Sequence, residues 1–198
     1  MNNIFVHPHV RGLIFDCDGT LVDSMPLHMT AWKETLSNFG AVYDERFLYA
    51  LKGMKELEIV SLYNDKFRTE LEPSKVVEAK QKIMKERLHN VLPVKPVVDI
   101  AKQFYKVLPL AIASGSARDI VLAELETVGI LHLFDAVVTA DDVLKPKPDP
   151  AVFLEAAKRI NVEPKLCQVF EDGDPGLEAA IKAGMMAIDV RAFSEKNF

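Results

Sequence analysis

The most informative part of the chain is Leu13-Ile14-Phe15-Asp16-Cys17-Asp18-Gly19-Thr20-Leu21-Val22-Asp23-Ser24, where an apolar run breaks into a glycine turn. Asp16 and Asp18 stand two apart at this break. Residues two apart in a strand point to the same side, so the two carboxylates either share a face or diverge as the chain turns at Gly19. Neighbouring carboxylates need a cation or a proton between them, which indicates a functional site. The alternative is a strand end whose aspartates only cap the next turn.

Short apolar runs of the same kind recur along the chain and predict a sheet. With residues 12–16 they make up the candidate strands, the others lying at 108–113, 136–138, 167–170 and 186–190. Helical patterns separate the later runs, at 117–127, 149–160 and 174–184. Continuous apolar strands that alternate with helices are typical of a parallel sheet covered on both faces. We therefore predict a doubly wound, Rossmann-like α/β core, with ligands at the carboxyl ends of its strands.

Residues 24–92 have a different pattern. Apolar residues there recur at helical spacing, and no strand pattern intervenes. The sequence thus predicts a helical cap domain at 24–92, inserted into a catalytic core formed by 1–23 and 93–198. A helical bundle attached in this way can act as a lid over the strand ends.

Composition narrows the class of protein. The chain has 198 residues, of which 49% are hydrophobic, so it can bury a sizeable core. Its formal net charge of −5 offers no basic surplus for a phosphate backbone, so we expect no nucleic-acid partner. No apolar run has the length of a membrane span, and the first residues lack the pattern of a signal peptide. We expect a cytoplasmic monomer in which Cys17 and Cys167 are reduced.

Polar residues follow three further strands, where the predicted core should bind ligands. Ser114-Gly115-Ser116 offers hydroxyl and backbone donors at the start of a helix, which suits a phosphate, although a plain helix cap is the simpler interpretation. Lys145-Pro146-Lys147-Pro148-Asp149 holds a lysine in an extended loop, although a single lysine is most often solvated. Glu171 and Asp172 form a second acidic pair.

These motifs, each after a separate strand, make the chain resemble the haloacid dehalogenase superfamily of phosphotransferases. The resemblance is to the subgroup of β-phosphoglucomutases and small sugar-phosphate phosphatases that carry a helical cap after the first strand. It covers nearly the whole chain. The matching segments are 15–24, 113–116, 145–149 and 169–172, and within the cap Pro26-Leu27-His28 and Ala31-Trp32.

The resemblance implies a role for each motif. Asp16 would attack phosphorus and form an aspartyl phosphate, while Asp18 would act as the general acid and base. Ser114 and Lys145 would bind the transferring phosphoryl group. Lys145 is assigned because it matches the family pattern Lys-Pro-x-Pro-Asp, with Lys147 as the alternative. Mg²⁺ is the implied cofactor, and its implied binding residues are Asp16, Asp18 through its backbone carbonyl, Asp172, and Glu171 in the outer shell.

Substrate recognition is expected in the cap and in the loop at 114–116, which is called the serine loop below. His28 and Trp32 lie one helical turn apart, so they could present a donor and an aromatic wall to a sugar, although Trp32 could equally pack inside the cap. Lys52 and Gly53 resemble a family loop that contacts the substrate. The serine loop contributes Ser114, Gly115 and Ser116.

Three functions are compatible with these motifs: a phosphatase, a β-phosphoglucomutase and a signalling receiver. The long insert and the second aspartate of the first motif count against a receiver. Thr20 stands where the mutases usually carry valine, and Glu56 stands where they would carry an arginine that holds a second phosphate. We therefore expect a phosphatase that acts on a small phosphorylated metabolite, a sugar or polyol phosphate.

Overall fold

The fold is built on a parallel sheet of five strands, as the apolar runs predict. The computed structural model describes residues 4–193. Its strands lie in the order β3-β2-β1-β4-β5, and every neighbouring pair is parallel. Their bounds are β1 Gly12–Phe15, β2 Leu110–Ala113, β3 Ala136–Val138, β4 Cys167–Glu171 and β5 Met186–Asp189.

Helices cover both faces of this sheet. Leu13 and Phe15 of β1 belong to one apolar cluster with residues of α5 (Lys95–Phe104) and α6 (Arg118–Thr127). Ile14, between them, points to the opposite face and packs with α7 (Ala151–Arg159) and α8 (Asp174–Lys182). The alternation along β1 therefore buries every one of its side chains, which explains the continuous apolar run. The helices predicted at 117–127, 149–160 and 174–184 are confirmed to within a few residues, whereas α5 is a helix that the pattern analysis did not predict.

The regular elements between β1 and α5 are helices in the described structure, apart from isolated β-bridges that join Val22 to Asp18 and to Pro93. These helices are α1 Met25–Asn38, α2 Glu45–Ala50, α3 Glu56–Phe67 and α4 Pro73–Arg87, followed by a 3₁₀ turn at Leu88–Asn90. Residues 24–92 are called the helical insert below. Its apolar residues form a cluster of their own, centred on Trp32, Leu36 and Tyr63. The assignment of the insert as a separate cap domain stays a prediction.

A second, smaller cluster joins the helical insert to the sheet-covering helices. Ala31 of α1, Met84 of α4 and Leu88 pack against Ile120 of α6. The insert thus rests on α6 as well as on the loops that connect it to β1 and α5. Within residues 4–193, no helix combines the length and the apolar character needed to cross a membrane.

The loop after β3 is held by an ionic network around Asp142. The Asp142 carboxylate accepts hydrogen bonds from the backbone N–H and hydroxyl of Thr139, and it pairs with Arg118 and Arg159. Burial tends to raise the pKa of Asp142, but these donors outweigh it and lower that pKa to about 2. The network anchors the loop that leads to Lys147.

Candidate active site

The carboxyl ends of β1 and β4 bring two acidic motifs together. Phe15 pairs with Phe170 across these strands, so Asp16 and Glu171 follow at the same edge of the sheet. The Asp16 N–H donates to the Phe170 carbonyl at 3.0 Å. Parallel pairing therefore places side chains that are far apart in sequence side by side.

Asp16, Glu171 and Asp172 form a buried carboxylate cluster. One oxygen atom from each lies within 4.8 Å of the others. Burial, with the charge of Glu171, raises the pKa of Asp16 to about 7. Burial and the charge of Asp16 likewise raise the pKa of Asp172 to about 6. The sequence predicted these residues as a metal site, and the structure brings them together.

Gly19 allows this cluster to form. Its φ of +81° lies in the left-handed region, which favours glycine. A Cβ at this position would come within 2.3 Å of Asp172 Oδ2. The glycine turn of the first motif is therefore required both by backbone conformation and by the close approach of the second acidic motif.

Lys147, rather than Lys145, is the lysine of the site. Lys147 is 1% exposed, and its Nζ donates to Asp16 Oδ1 and Glu171 Oε2, both at 2.8 Å. The side chain of Lys145 is 76% exposed, and its Nζ lies 3.8 Å from Asp149 Oδ2 at the surface. The expectation that Lys145 contacts the reacting group is wrong. The pattern Lys-Pro-x-Pro-Asp favoured Lys145, but Lys147 also begins a Lys-Pro-x-Pro run, so the course of the loop had to decide between them.

Asp18 diverges from Asp16 and is held by three donors. Its Oδ1 accepts from the Ser24 hydroxyl at 2.7 Å and from His28 Nε2 at 2.8 Å. Its Oδ2 accepts from the Ser116 hydroxyl at 2.6 Å. Burial acts to raise the pKa of Asp18, but His28 and the two hydroxyls outweigh it, and the pKa lies well below its usual range. His28 and Ser116 thus meet at the second aspartate.

A chain of polar contacts continues from His28 into the helical insert. Lys80 Nζ lies 2.7 Å from His28 Nδ1, and it also pairs with Glu56. Glu56 accepts a further hydrogen bond from Gln81, so its charge is matched within the insert. Lys80 was missed by the sequence analysis. It lies four residues from both Val76 and Met84, on the buried face of α4, and a lysine among apolar residues at this helical spacing is the signal that could have identified it.

The loop between α2 and α3, which carries Lys52 and Gly53, reaches the sheet edge. That these two residues contact the substrate stays a prediction. Lys52 Nζ donates to Asp172 Oδ2 at 2.7 Å. The Gly53 carbonyl lies so close to Gly115 that a Cβ there would come within 2.1 Å of it. The insert and the serine loop therefore meet at a contact that only glycine permits at position 115.

The other predicted residues divide between site and core. Ser114 is fully buried at the end of β2, where its Oγ accepts the Ser116 N–H at 3.0 Å. Trp32 packs in the apolar cluster of the insert, 5.3 Å from Lys80 Nζ, and so has the packing role rather than that of an open aromatic wall. Cys17 is buried in the core, as its place between the two aspartates predicts.

Glu124 of α6 is a further buried carboxyl beside Asp18 and His28 that the sequence analysis missed. It lies among apolar neighbours of the same helix, Ile120, Val121 and Leu125. An acidic residue on the buried face of a helix is the signal that could have identified it.

The comparisons with known proteins agree with this geometry. A family model of haloacid dehalogenase-like hydrolases matches residues 13–190, which include the helical insert and all of the sheet except Gly12. The chain belongs to the haloacid dehalogenase-like hydrolases.

Two relatives and one solved structure show which members of that family the chain is similar to. It is 40% identical over 186 residues to the fructose-1-phosphate phosphatase YqaB of Escherichia coli (strain K12), covering 94% of this chain and 99% of that protein. It is 31% identical to the phosphorylated carbohydrates phosphatase of Thermotoga maritima, covering 90% of this chain and 84% of that one. The crystal structure of β-phosphoglucomutase from Clostridium difficile matches with a TM-score of 0.76 at 27% identity, covering 90% of this chain and 83% of that one.

The two lysines of the loop provide a matched pair of variants. Lys147→Met should lower the free energy of unfolding by about 3–5 kcal/mol, since it leaves Asp16 and Glu171 buried without their cation. Lys145→Met should change it by less than about 0.5 kcal/mol, since that side chain is solvated. Urea denaturation in the presence of a chelator measures both values. Equal, small effects of the two substitutions would contradict this placement of Lys147.

Proposed function

We propose that this protein is a Mg²⁺-dependent phosphatase that releases phosphate from a small sugar or polyol phosphate through an aspartyl phosphate on Asp16. The observation that carries the proposal is the state of the Asp16 carboxylate. Oδ1 is held by Lys147, while Oδ2 is buried and has no hydrogen-bond partner among residues 4–193. One oxygen is thus oriented and the other is left for a ligand.

Asp16 is suited to act as the nucleophile because its surroundings supply positive charge. A carboxylate repels a phosphate dianion, so attack requires cations beside it. Lys147 lies 2.8 Å from Asp16, and Lys52 reaches the neighbouring Asp172. Both ammonium groups would face the phosphoryl oxygens of a bound substrate, with Ser114 as a further donor. Positioning and charge stabilisation of this kind provide most of the rate in phosphoryl transfer.

Asp18 would protonate the leaving oxygen and later take a proton from the attacking water. Because its contacts in the free site hold its pKa low, Asp18 must first take up a proton, which release of the His28 contact on substrate binding would favour. It lies two residues from the nucleophile, and it is held by His28 and the hydroxyls of Ser24 and Ser116. These contacts hold the buried carboxyl between the sheet edge and the helical insert. Closure of the insert would exclude water until the first product has left.

The carboxylate cluster fits Mg²⁺. Its donors are all oxygen atoms, which this cation prefers, and Asp16 Oδ2 is buried without a hydrogen-bond partner among residues 4–193. Asp16, Asp172 and the Asp18 carbonyl would hold the ion, with Glu171 in the outer shell. Bound Mg²⁺ would neutralise charge on the transferring phosphoryl group.

A sugar phosphate is the substrate class that the relatives support. The two phosphatases reported above are named for fructose 1-phosphate and for phosphorylated carbohydrates. This chain is similar to both over at least 90% of its length, including the insert that carries His28 and Lys52. Fructose 1-phosphate is therefore the first substrate to test.

A β-phosphoglucomutase is the second candidate, since the structure of one such enzyme matches 90% of the chain. A mutase must hold a bisphosphate by both ends, which requires a cation in the cap for the phosphate that is not transferred. Glu56 takes the position at which that cation was expected, and it is paired with Lys80 inside the insert. The phosphatase is the better fit because this position supplies no cation to a second phosphate.

Asp16→Asn should abolish turnover while the fold is retained, because the change removes the nucleophile but keeps its volume. The loss should be on the order of 10⁴-fold in kcat. Phosphate release from fructose 1-phosphate and a panel of other sugar phosphates measures it. A purified, folded variant that keeps more than a few percent of wild-type activity would rule out the covalent route.

Mg²⁺ should raise the melting temperature of the metal-free protein, because a ligand that binds only the folded state stabilises it. Asp172→Asn should remove most of that increase, since it deletes one charge of the binding set. Asp174→Asn is the matched control, as this carboxylate is exposed and lies two residues further on. Differential scanning calorimetry with and without Mg²⁺ gives the comparison. An increase of wild-type size in Asp172→Asn would exclude Asp172 as a ligand.

Net hydrolysis should dominate over phosphate transfer between sugar positions. Without a cap cation for a second phosphate, the first product should leave and water should reach the aspartyl phosphate. The test is product analysis with β-glucose 1-phosphate and a trace of the 1,6-bisphosphate. Glucose 6-phosphate formed faster than phosphate is released from every sugar tested would favour the mutase instead.

A further inference from the structure

Glu124 is a fully buried carboxyl that the proposed mechanism does not use. It lies on α6, and its Oε2 accepts a hydrogen bond from the Cys17 thiol, with 3.6 Å between Oε2 and Sγ. Its Oε1 is also buried and finds no hydrogen-bond partner in the part of the chain that the structure describes. A buried polar atom without a partner lowers stability, and an apolar residue of the same size would avoid that loss. The position therefore calls for a functional explanation.

The unpartnered oxygen lies beside a ring nitrogen that already has an acceptor. His28 Nε2 is 2.8 Å from Asp18 Oδ1 and 3.9 Å from Glu124 Oε1. Lys80 approaches the other ring nitrogen, Nδ1, and an ammonium group has only donors. Nδ1 is therefore the acceptor and Nε2 carries the hydrogen. A single N–H thus faces two carboxyl groups.

Both oxygens of Asp18 are held by donors in this arrangement. Ser24 and His28 donate to Oδ1, and Ser116 donates to Oδ2. A carboxyl group held in this way must give up at least one of these contacts to reach a leaving oxygen. If His28 lost its acceptor at that moment, its N–H would be buried without a partner, which would oppose the movement.

We propose that Glu124 is a positioning residue that provides the second acceptor for the His28 N–H, so that Asp18 can turn toward the substrate. The inference rests on the proposed role of Asp18 as general acid and base. The exchange moves one hydrogen bond from Asp18 Oδ1 to Glu124 Oε1, and no covalent bond changes. Burial, with the charge of Asp18, raises the pKa of Glu124 well above its usual range. The exchange requires Oε1 to be the oxygen without the proton, because that oxygen is the one that accepts an N–H.

Removal of Asp18 should reveal this second acceptor without any substrate. In Asp18→Ala the His28 N–H should still give a downfield, slowly exchanging proton signal in NMR, because Glu124 accepts it. In Asp18→Ala combined with Glu124→Leu that signal should disappear. The resonance is assigned by its absence in His28→Gln. Loss of the signal already in Asp18→Ala would overturn the proposal.

Kinetics separate this role from a structural one. Glu124→Leu should lower kcat about tenfold or more with KM within about twofold, because Glu124 acts on Asp18 and not on the substrate. Its melting temperature should stay equal or rise, since an unpaired buried oxygen is removed. Glu124→Gln keeps an acceptor oxygen and should retain kcat to within about threefold. Glu126→Gln, an exposed position on the same helix, is the control and should match the wild type.

Three results would count against the positioning role. These are a kcat of wild-type size in Glu124→Leu, equal losses in the Leu and Gln variants, and a fall in kcat that follows a fall in melting temperature. The NMR measurement also separates this inference from the proposed function. A wild-type protein that hydrolyses no sugar phosphate would refute the function, whereas the place of Glu124 as acceptor would still be decided by the His28 signal.

Discussion

The structure depends on the pairing of Lys147 with the buried carboxylates at the ends of β1 and β4. Asp16 and Glu171 follow directly after neighbouring strands, so the sheet forces them together, and each lies 2.8 Å from the same ammonium group. Buried carboxylates in contact require a cation or a proton between them, and Lys147 supplies the cation. The same requirement that stabilises the sheet edge therefore prepares it for a metal ion and a phosphate, and it leaves Asp16 Oδ2 as an open position.

The helical insert takes part in this balance of charge. Lys52 of the insert reaches Asp172 in the cluster, and on the other side Asp18 connects through His28 to Lys80. Asp172 is thus one contact, and Asp18 two contacts, from a lysine of the insert. Movement of the insert would change the positive charge at the site, which gives a physical reason for closure to be coupled to the binding of an anionic substrate.

Much of the fold could be predicted from the sequence, because a parallel sheet buries both faces of its strands and leaves continuous apolar runs at β1, β2 and β4. The site was predictable only as far as strand ends locate it. The course of the loop after β3 decided between Lys145 and Lys147, and no local pattern records that course. Lys80 and Glu124 occupy apolar spacings, so periodicity assigns them to the core, and their partners come from other helices. Such tertiary contacts determine the second layer of the site and are not readable from spacing alone.

The most direct test of the account is to look for the phosphoryl group on Asp16. The enzyme is quenched in acid during turnover of fructose 1-phosphate with Mg²⁺, digested, and its peptides are analysed by mass spectrometry. The account predicts one phosphoryl group that survives a cold acid quench and digestion at low pH but is released by base or by hydroxylamine, on the peptide that contains Asp16, at the carboxylate which Lys147 holds. Phosphate released in the steady state with no labelled peptide under any quench, or a label on a different residue, would contradict it.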